Sequence, residues 1–407
     1  MMLRTLCGLM ALSVLAACGR GLPSGGSPPP PTGANVAPII IDGGPASIPV
    51  GAVNVPFVSV TVCLPGTMTC QTVDHVVLDT GSTGLRLLAS VLPANFTLPQ
   101  VNNATGGTPL WECLQFVDSY SWGSVRTADI KIANGAASNQ PVQLIGDPAL
   151  LMAPTDCTNN GALASVNSVA SFSANGVLGV NIFHYDCDTA CTDPANIVPA
   201  AYYSCPAGVA CTGSAAALSD QVQNPVYNFA SDNNGVAIIL PPAGTSGRLT
   251  LSGSLVLGVN TQTNNQLGAA AVIGVDPVLG FFTTTYQGLT LPNSFLDSGS
   301  DALYFADSSL TPCATATGYY CPPQSLSRSA VNQFGGGTAS TVPFTIDNYE
   351  TLNGAHQSFN ALPNIAGTLS NLAASFDWGL PFFYGRTVFV GFEGRMAAQT
   401  PGPFFAY

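Results

Sequence analysis

The chain has 407 residues, 46% hydrophobic and only 7% charged, with a net charge of −12. This excludes a disordered chain, and it excludes a nucleic-acid-binding one: Lys131 is the only lysine among nine basic residues, too few to track a phosphate backbone. The length allows two lobes with cores of their own, and downstream of Cys18 no uncharged apolar run is long enough to cross a bilayer.

Residues 1–17 read as a secretory signal, with a basic start at Arg4 followed by the apolar run LCGLMALSVLAA. The run ends in Leu15-Ala16-Ala17-Cys18, which resembles the lipobox of bacterial lipoproteins. That resemblance implies cleavage before Cys18 and lipidation of its thiol, making a lipid bilayer an expected partner. Ordinary cleavage after an A-x-A-like site, with Cys18 left as a spare thiol, is the alternative. Gly19 stands where enteric lipoproteins kept at the inner membrane carry aspartate, so the expected location is the outer membrane, facing the periplasm or the surface. Residues 18–45, rich in Gly, Pro and Ser (GLPSGGSPPPPTG), are expected to form the lipidated tether. Only Arg20 is basic there, so no charged pro-segment is expected to plug a site downstream.

From there on, short runs of Val, Ile, Leu, Thr and Phe alternate with Gly, Asn, Pro and Ser, as in VPFVSVTVCL, TADIKIANG, GVAIILPP, SGSLVLGV and RTVFVGFEG. These are strand and turn signals and predict a mainly β fold. Short helices are expected only near AAALSDQVQN and SLSRSAVNQF. Of twelve cysteines, ten remain once Cys7 and Cys18 are set aside, an even number that reads as five disulfides in an exported chain. Proximity suggests Cys63–Cys70, Cys187–Cys191, Cys205–Cys211 and Cys313–Cys321, leaving Cys113 and Cys157 for a longer link. Crosswise pairing within Cys187, Cys191, Cys205 and Cys211 is equally compatible with the sequence. His75, His184 and His356 lie outside zinc-ligand spacing, so neither a metal nor a cofactor is expected.

One internal repeat stands out. VVLDTGSTGLRL (Val76 to Leu87) returns as SFLDSGSDALYF (Ser294 to Phe305), matching Leu78 with Leu296, Asp79 with Asp297, Gly81 with Gly299, Ser82 with Ser300 and Leu85 with Leu303. Thr80 and Ser298 exchange one hydroxyl for another. Each copy places a carboxylate at the end of an apolar strand, and the glycine lets amide N–H groups and the next hydroxyl reach it. Alone, Asp-Thr/Ser-Gly is ordinary turn chemistry, and two such turns are the plain alternative. Paired across a two-fold axis, two facing carboxylates cannot both ionise, so they share a proton. The repeat divides the chain into an expected first lobe, 46–230, and second lobe, 231–407.

At this point the sequence resembles the pepsin-like aspartic peptidases. Beside the two loops, Asn175-Gly176-Val177-Leu178-Gly179-Val180 is similar to that family's hydrophobic-hydrophobic-glycine segment. Ser119-Tyr120-Ser121-Trp122-Gly123-Ser124 is similar to its flap, NPVYNFASDNNGVAIIL to its lobe crossing, and GSLVLGVN to the Gly-x-Leu-x-Leu-Gly-Gly stretch that follows the crossing. DWGLPFFYGRTVFVGFEG is similar to its closing segment. The chain departs from the pattern at Arg86, where a tryptophan is usual, at Asp377, where an apolar residue is usual, and at Leu380-Pro381. The resemblance implies a bilobal fold with a cleft and catalytic Asp79 and Asp297. Thr80, Gly81, Ser82, Ser298, Gly299 and Ser300 would support the dyad, and a flap of Tyr120, Trp122 and Gly123 would lie against the substrate. Which ring would cover the cleft is open, and ordinary sheet packing is an alternative for both. No GxSxG elbow, phosphate-cradling loop or HExxH appears. The implied activity is aspartic endopeptidase, with a peptide or protein as partner and a monomeric chain. The alternative is a binding or structural module on the same fold.

Overall fold

The computed structural model describes residues 30–48, 51–103, 106–150, 152–193, 200–368 and 374–407. The signal, Cys18 and the first part of the tether lie outside the described residues. Two β lobes share a central sheet. In the first lobe, strands Cys70–Asp79, Thr83–Leu88, Gly176–Val180, Gly135–Ile145 and Ser119–Ile132 belong to a large sheet. That sheet continues through Pro56–Cys63 into Val36–Ile41, Leu251–Leu257, Gly235–Ile239, Thr387–Gly391 and Phe404–Ala406. The second lobe has a sheet of its own, in the order Ser340–Ile346, Leu326–Gln333, Phe282–Tyr286, Leu289–Leu296, Phe376–Trp378, Leu303–Phe305 and Ala366–Gly367.

The shared sheet explains why its strands read as continuous apolar runs. Successive side chains of a strand point to opposite faces. Val236, Ile238, Leu255, Leu257, Val388 and Val390 enter the main core, while Ala237, Val256, Phe389 and Ala406 fill a second cluster on the other face. With apolar matter on both sides, no polar alternation survives in the sequence.

Three expectations need correction. The tether expected over 18–45 ends earlier, because Val36–Ile41 is a strand paired along its length with Leu251–Leu257. Its Ile39 and Ile41 are buried, and that pairing outweighs the loop-like Gly, Pro and Ser just before it. SLSRSAVNQF is a strand, Leu326–Gln333, with a partner on each side; Ser327 and Ser329 are exposed while Ala330 and Asn332 are buried, a period of two. AAALSDQVQN contributes only the single 3-10 turn Leu218–Asp220.

The disulfides are Cys63–Cys70, Cys113–Cys157, Cys187–Cys191, Cys205–Cys211 and Cys313–Cys321, so the crowded group pairs locally rather than crosswise. Five such bonds point to an oxidising compartment outside the cytoplasm. Among the described residues no helix is long and apolar enough to cross a membrane.

Asn54 ties the lobes together. It is fully buried at φ +54°, a left-handed conformation that asparagine tolerates better than most residues. Its Nδ2 donates to the carbonyls of Asp301 (2.6 Å) and Leu362 (2.8 Å). Its Oδ1 accepts from the Leu362 N–H and the Tyr384 hydroxyl, both at 2.7 Å. Asn54→Leu would strand all four partners in a dry interior. It should lower the unfolding free energy by about 3 kcal/mol or more, measured by denaturant titration; a loss below about 1 kcal/mol would contradict this role.

Candidate active site

Each aspartate sits where a strand ends inside a three-strand crossing. Strand Cys70–Asp79 runs parallel to Gly176–Val180, which also pairs antiparallel with Thr83–Leu88. The second lobe repeats the figure: Phe295 and Leu296 run parallel to Asp377 and Trp378, and Leu303–Phe305 pairs antiparallel with Phe376–Trp378. The chain must leave each aspartate and pass close to the crossing strand. A Cβ on Gly179 would sit 2.6 Å from the Ser82 carbonyl oxygen, and one on Gly379 2.0 Å from that of Ala302. Glycine is required at both places because any side chain would strike backbone.

The two loops then hold one another. The Thr80 N–H donates to Ser298 Oγ (3.1 Å), and the Ser298 N–H donates to Thr80 Oγ1 (2.9 Å). Thr80 Oγ1 donates onward to the Leu296 carbonyl (2.9 Å), and Ser298 Oγ to the Leu78 carbonyl (2.7 Å). Thr80 and Ser298 are both buried, so these bonds are shielded from water. Asp79 accepts from the Gly81 N–H (2.7 Å) and from the Ser82 hydroxyl. Asp297 accepts from the Gly299 N–H (2.7 Å) and from Ser300 Oγ (3.0 Å). A Cβ on Gly81 would lie 2.8 Å from Asp297 Oδ1, and one on Gly299 2.8 Å from Asp79 Oδ1. Each carboxyl therefore lies against the glycine of the other loop, which brings the two acids together. Burial first, and then the charges of Asp79 and Asp377, push Asp297 well above the usual carboxylate range. The pair can hold one proton and one negative charge beside an open, glycine-floored surface.

A third carboxyl belongs to the neighbourhood. Asp377 is buried, and its Oδ2 lies 2.7 Å from Ser300 Oγ. Sequence reading picked this position out as a departure but could not place it beside the aspartates, because only the second crossing brings it there. Asp301, next in the loop, accepts from the hydroxyls of Tyr304 (2.6 Å) and Tyr319 (2.5 Å). Burial outweighs those two bonds and keeps Asp301 above its ordinary range.

The first lobe's hairpin pairs Leu110–Gln115 with Ser119–Ile132. Trp122 is a correction: it is fully buried, stacked on Trp111 at 5.3 Å, with its indole N–H on the Leu150 carbonyl at 3.1 Å, so it packs the lobe and no substrate can touch it. Gly123 is also explained by packing, since a Cβ there would lie 2.1 Å from the Leu144 carbonyl oxygen. Tyr120 is half-buried, opposite Gln115, and is the ring of the pair that keeps exposed surface. The charge of Asp118, at the hairpin turn, is among the causes that raise Asp301, after burial itself.

Arg86, standing where a tryptophan is usual, is fully buried. Its Nε donates to Glu112 at 3.1 Å, its Nη1 to the Thr83 carbonyl at 2.7 Å, and its Nη2 to Asp186 at 2.9 Å and also to Glu112. Burial works to lower the guanidinium, and the charges of Glu112 and Asp186 outweigh it. Burial and the Glu112 charge hold Asp186 well above its usual range. This ion group joins the hairpin to the strand that follows Asp79. Glu112 and Asp186 carry no local signal in the sequence as partners of Arg86. Two cavities, of about 640 and 320 Å³, lie beside the second lobe, and neither is lined by Asp79 or Asp297.

Asp186, Asp297, Asp301 and Asp377 all bind a proton more tightly folded than unfolded. Their contribution to stability is complete below the ordinary carboxylate range and is lost as pH rises through the raised values. His184, held below its ordinary range by burial, opposes these four acids within the interval, and Asp147 and Asp307, held low by hydrogen bonds from Ser124 and Ser309 despite burial, do so only in stronger acid. Thermal unfolding should give a higher midpoint at pH about 5 than at pH about 8; a midpoint that climbs over that interval would refute the assignment.

A model of the family described as "Protein of unknown function (DUF3443)" matches residues 31–407. Among solved structures, the crystal structure of the aspartic proteinase from Irpex lacteus is similar to this chain, with a TM-score of 0.51 at 12% identity, covering 91% of this chain and 96% of that one. At that identity the likeness establishes the fold alone, a bilobal pepsin-like β architecture. No curated protein matches the sequence.

Proposed function

We propose that this chain, which belongs to the family described as protein of unknown function (DUF3443), is an aspartic-type endopeptidase of the bacterial cell envelope. One observation carries the reading: two Asp-Thr/Ser-Gly-Ser loops, one from each lobe, are cross-bonded so that each aspartate lies against the other loop's glycine. A water held between them loses a proton to Asp79 as its oxygen attacks a peptide carbonyl carbon, and Asp297 gives its proton to the carbonyl oxygen. The resulting diol returns a proton to Asp297, Asp79 protonates the amide nitrogen, and the C–N bond breaks. Ser82 and Ser300 orient the outer carboxylate oxygens. Thr80 and Ser298 keep the loops in register. In this reading Tyr120, on the hairpin, closes over the peptide.

In this reading the first lobe (46–230) contributes Asp79 and the second (231–407) Asp297. The chain works as a monomer, anchored through lipid on Cys18 at the outer membrane. The competing reading is a binding module that has kept the fold; it is favoured by the polar substitutions at Arg86 and Asp377 and by a buried Trp122, which leaves only half-buried Tyr120 of that pair with accessible surface. Purified soluble chain incubated with a peptide library, with products read by mass spectrometry, separates the two. Cleavage should be strongest in acid, and Asp79→Asn and Asp297→Asn should each lower kcat at least about a thousandfold with the fold intact by circular dichroism. A folded wild type that yields no products at acid or neutral pH would leave the binding module standing.

A further inference from the structure

We propose that Asp377 is a proton reservoir for the paired aspartates, wired to Asp297 through the hydroxyl of Ser300. The wiring stands on geometry; only its kinetic consequence rests on the peptidase reading. Ser300 Oγ lies 3.0 Å from Asp297 Oδ2 and 2.7 Å from Asp377 Oδ2. A hydroxyl has one proton to donate, and an ionised carboxylate has none. Two hydrogen bonds at that oxygen therefore need a second proton, and one of the two acids must supply it.

The surroundings of Asp377 leave it no other way to be satisfied. It is 1% exposed, and its Oδ1 meets no hydrogen-bond partner. Its strand lies between Phe295–Leu296 and Leu303–Phe305, directly opposite Tyr304, whose hydroxyl is committed to Asp301. The titratable groups that face it are Asp297, Asp301 and Asp79, all acids. Among the described residues no arginine, lysine or histidine pairs with it. Burial above all holds Asp377 well above the usual carboxylate range; the Ser300 hydrogen bond opposes this, and the charges of Asp301 and Asp79 add to it.

Two arrangements satisfy the wire. In one, protonated Asp377 donates to Ser300, and Ser300 donates to ionised Asp297. In the other, protonated Asp297 donates to Ser300, and Ser300 donates to ionised Asp377. They interconvert when the Asp377 Oδ2–H bond breaks as a new Ser300 O–H forms, while the old Ser300 O–H breaks as Asp297 Oδ2–H forms. One proton moves toward the dyad, one charge moves away, and no solvent takes part. Asp377 is thus a positioning residue for the dyad's proton. When it carries the charge, Asp297 holds its proton more tightly, so the dyad stays singly protonated to higher pH than an isolated pair would.

The test compares the pH dependence of kcat/KM in wild type, Asp377→Asn and Asp377→Leu, beside a carbon-13 NMR titration of aspartate-labelled protein. Both substitutions remove the ionisable group, so both should move the alkaline limb by about one pH unit or more toward acid. If Asp377 only packs, the Asn variant will keep the wild-type profile and the Leu variant will lose rate equally at every pH; either result overturns the proposal. The NMR titration needs no turnover. It should show, among the aspartate carboxyls still protonated at neutral pH in the wild type, one whose signal vanishes in Asp377→Asn. That signal in a wild type that cleaves nothing would sink the peptidase reading and keep the wiring. Its absence sinks the wiring whatever the activity, and the wild type with the near-isosteric Asn variant decides the matter even if Asp377→Leu does not fold.

Discussion

The site depends on four hydrogen bonds that cross between two loops 218 residues apart in the chain. Thr80 and Ser298 each present a hydroxyl to the other loop's backbone, receive an N–H there and donate to a carbonyl. Every donor and acceptor is used, and all of it is buried, so displacing either loop would strand several polar groups at once. That constraint fixes the distance between the two carboxyls, and the distance dictates their chemistry. Facing acids cannot both ionise, and one proton stays behind.

The scaffold serves the same constraint. Two crossings related by the internal repeat end their strands at equivalent places, and Gly179 and Gly379 let the chain pass close enough to do so. The shared central sheet and the Asn54 tie hold the lobes together. The acidity around the dyad is unusual: Asp297, Asp301 and Asp377 lie together without a cation in hydrogen-bond contact among the described residues, whereas the buried Arg86 serves Glu112 and Asp186 in the first lobe instead. The electrostatics thus favour bound protons around the paired aspartates and a fixed ion group between the hairpin and the strand after Asp79.

What the sequence disclosed follows from how local each signal is. The dyad loops were legible because the same frame occurs twice, and the strand at Gly176–Val180 because its apolar run ends in a required glycine. The mainly β class was legible from turn residues breaking short apolar runs. Val36–Ile41 was not, since its pairing partner lies at Leu251–Leu257 and its flank is Gly- and Pro-rich. Leu326–Gln333 was not, since serines and other polar residues occupy much of its alternating pattern and one of its two partner strands, Phe282–Tyr286, is distant in sequence. Trp122 and Tyr120 are two residues apart on one strand, hence on the same face, yet only packing against Trp111 and Tyr203 tells which ring is committed to the core. Arg86 and Asp377 were visible as departures, but their partners come from distant strands, and no spacing rule reaches them.

The central claim is that Asp79 and Asp297 form one singly protonated site able to hold a tetrahedral carbon. Isothermal titration with a peptide whose scissile carbonyl is replaced by a tetrahedral hydroxyl-bearing carbon tests it most directly. The account predicts one site per chain, affinity that weakens as pH rises and the shared proton is lost, and no binding by Asp79→Asn or Asp297→Asn. Binding that is indifferent both to pH and to those substitutions, or no binding by the folded wild type at any pH, would contradict it.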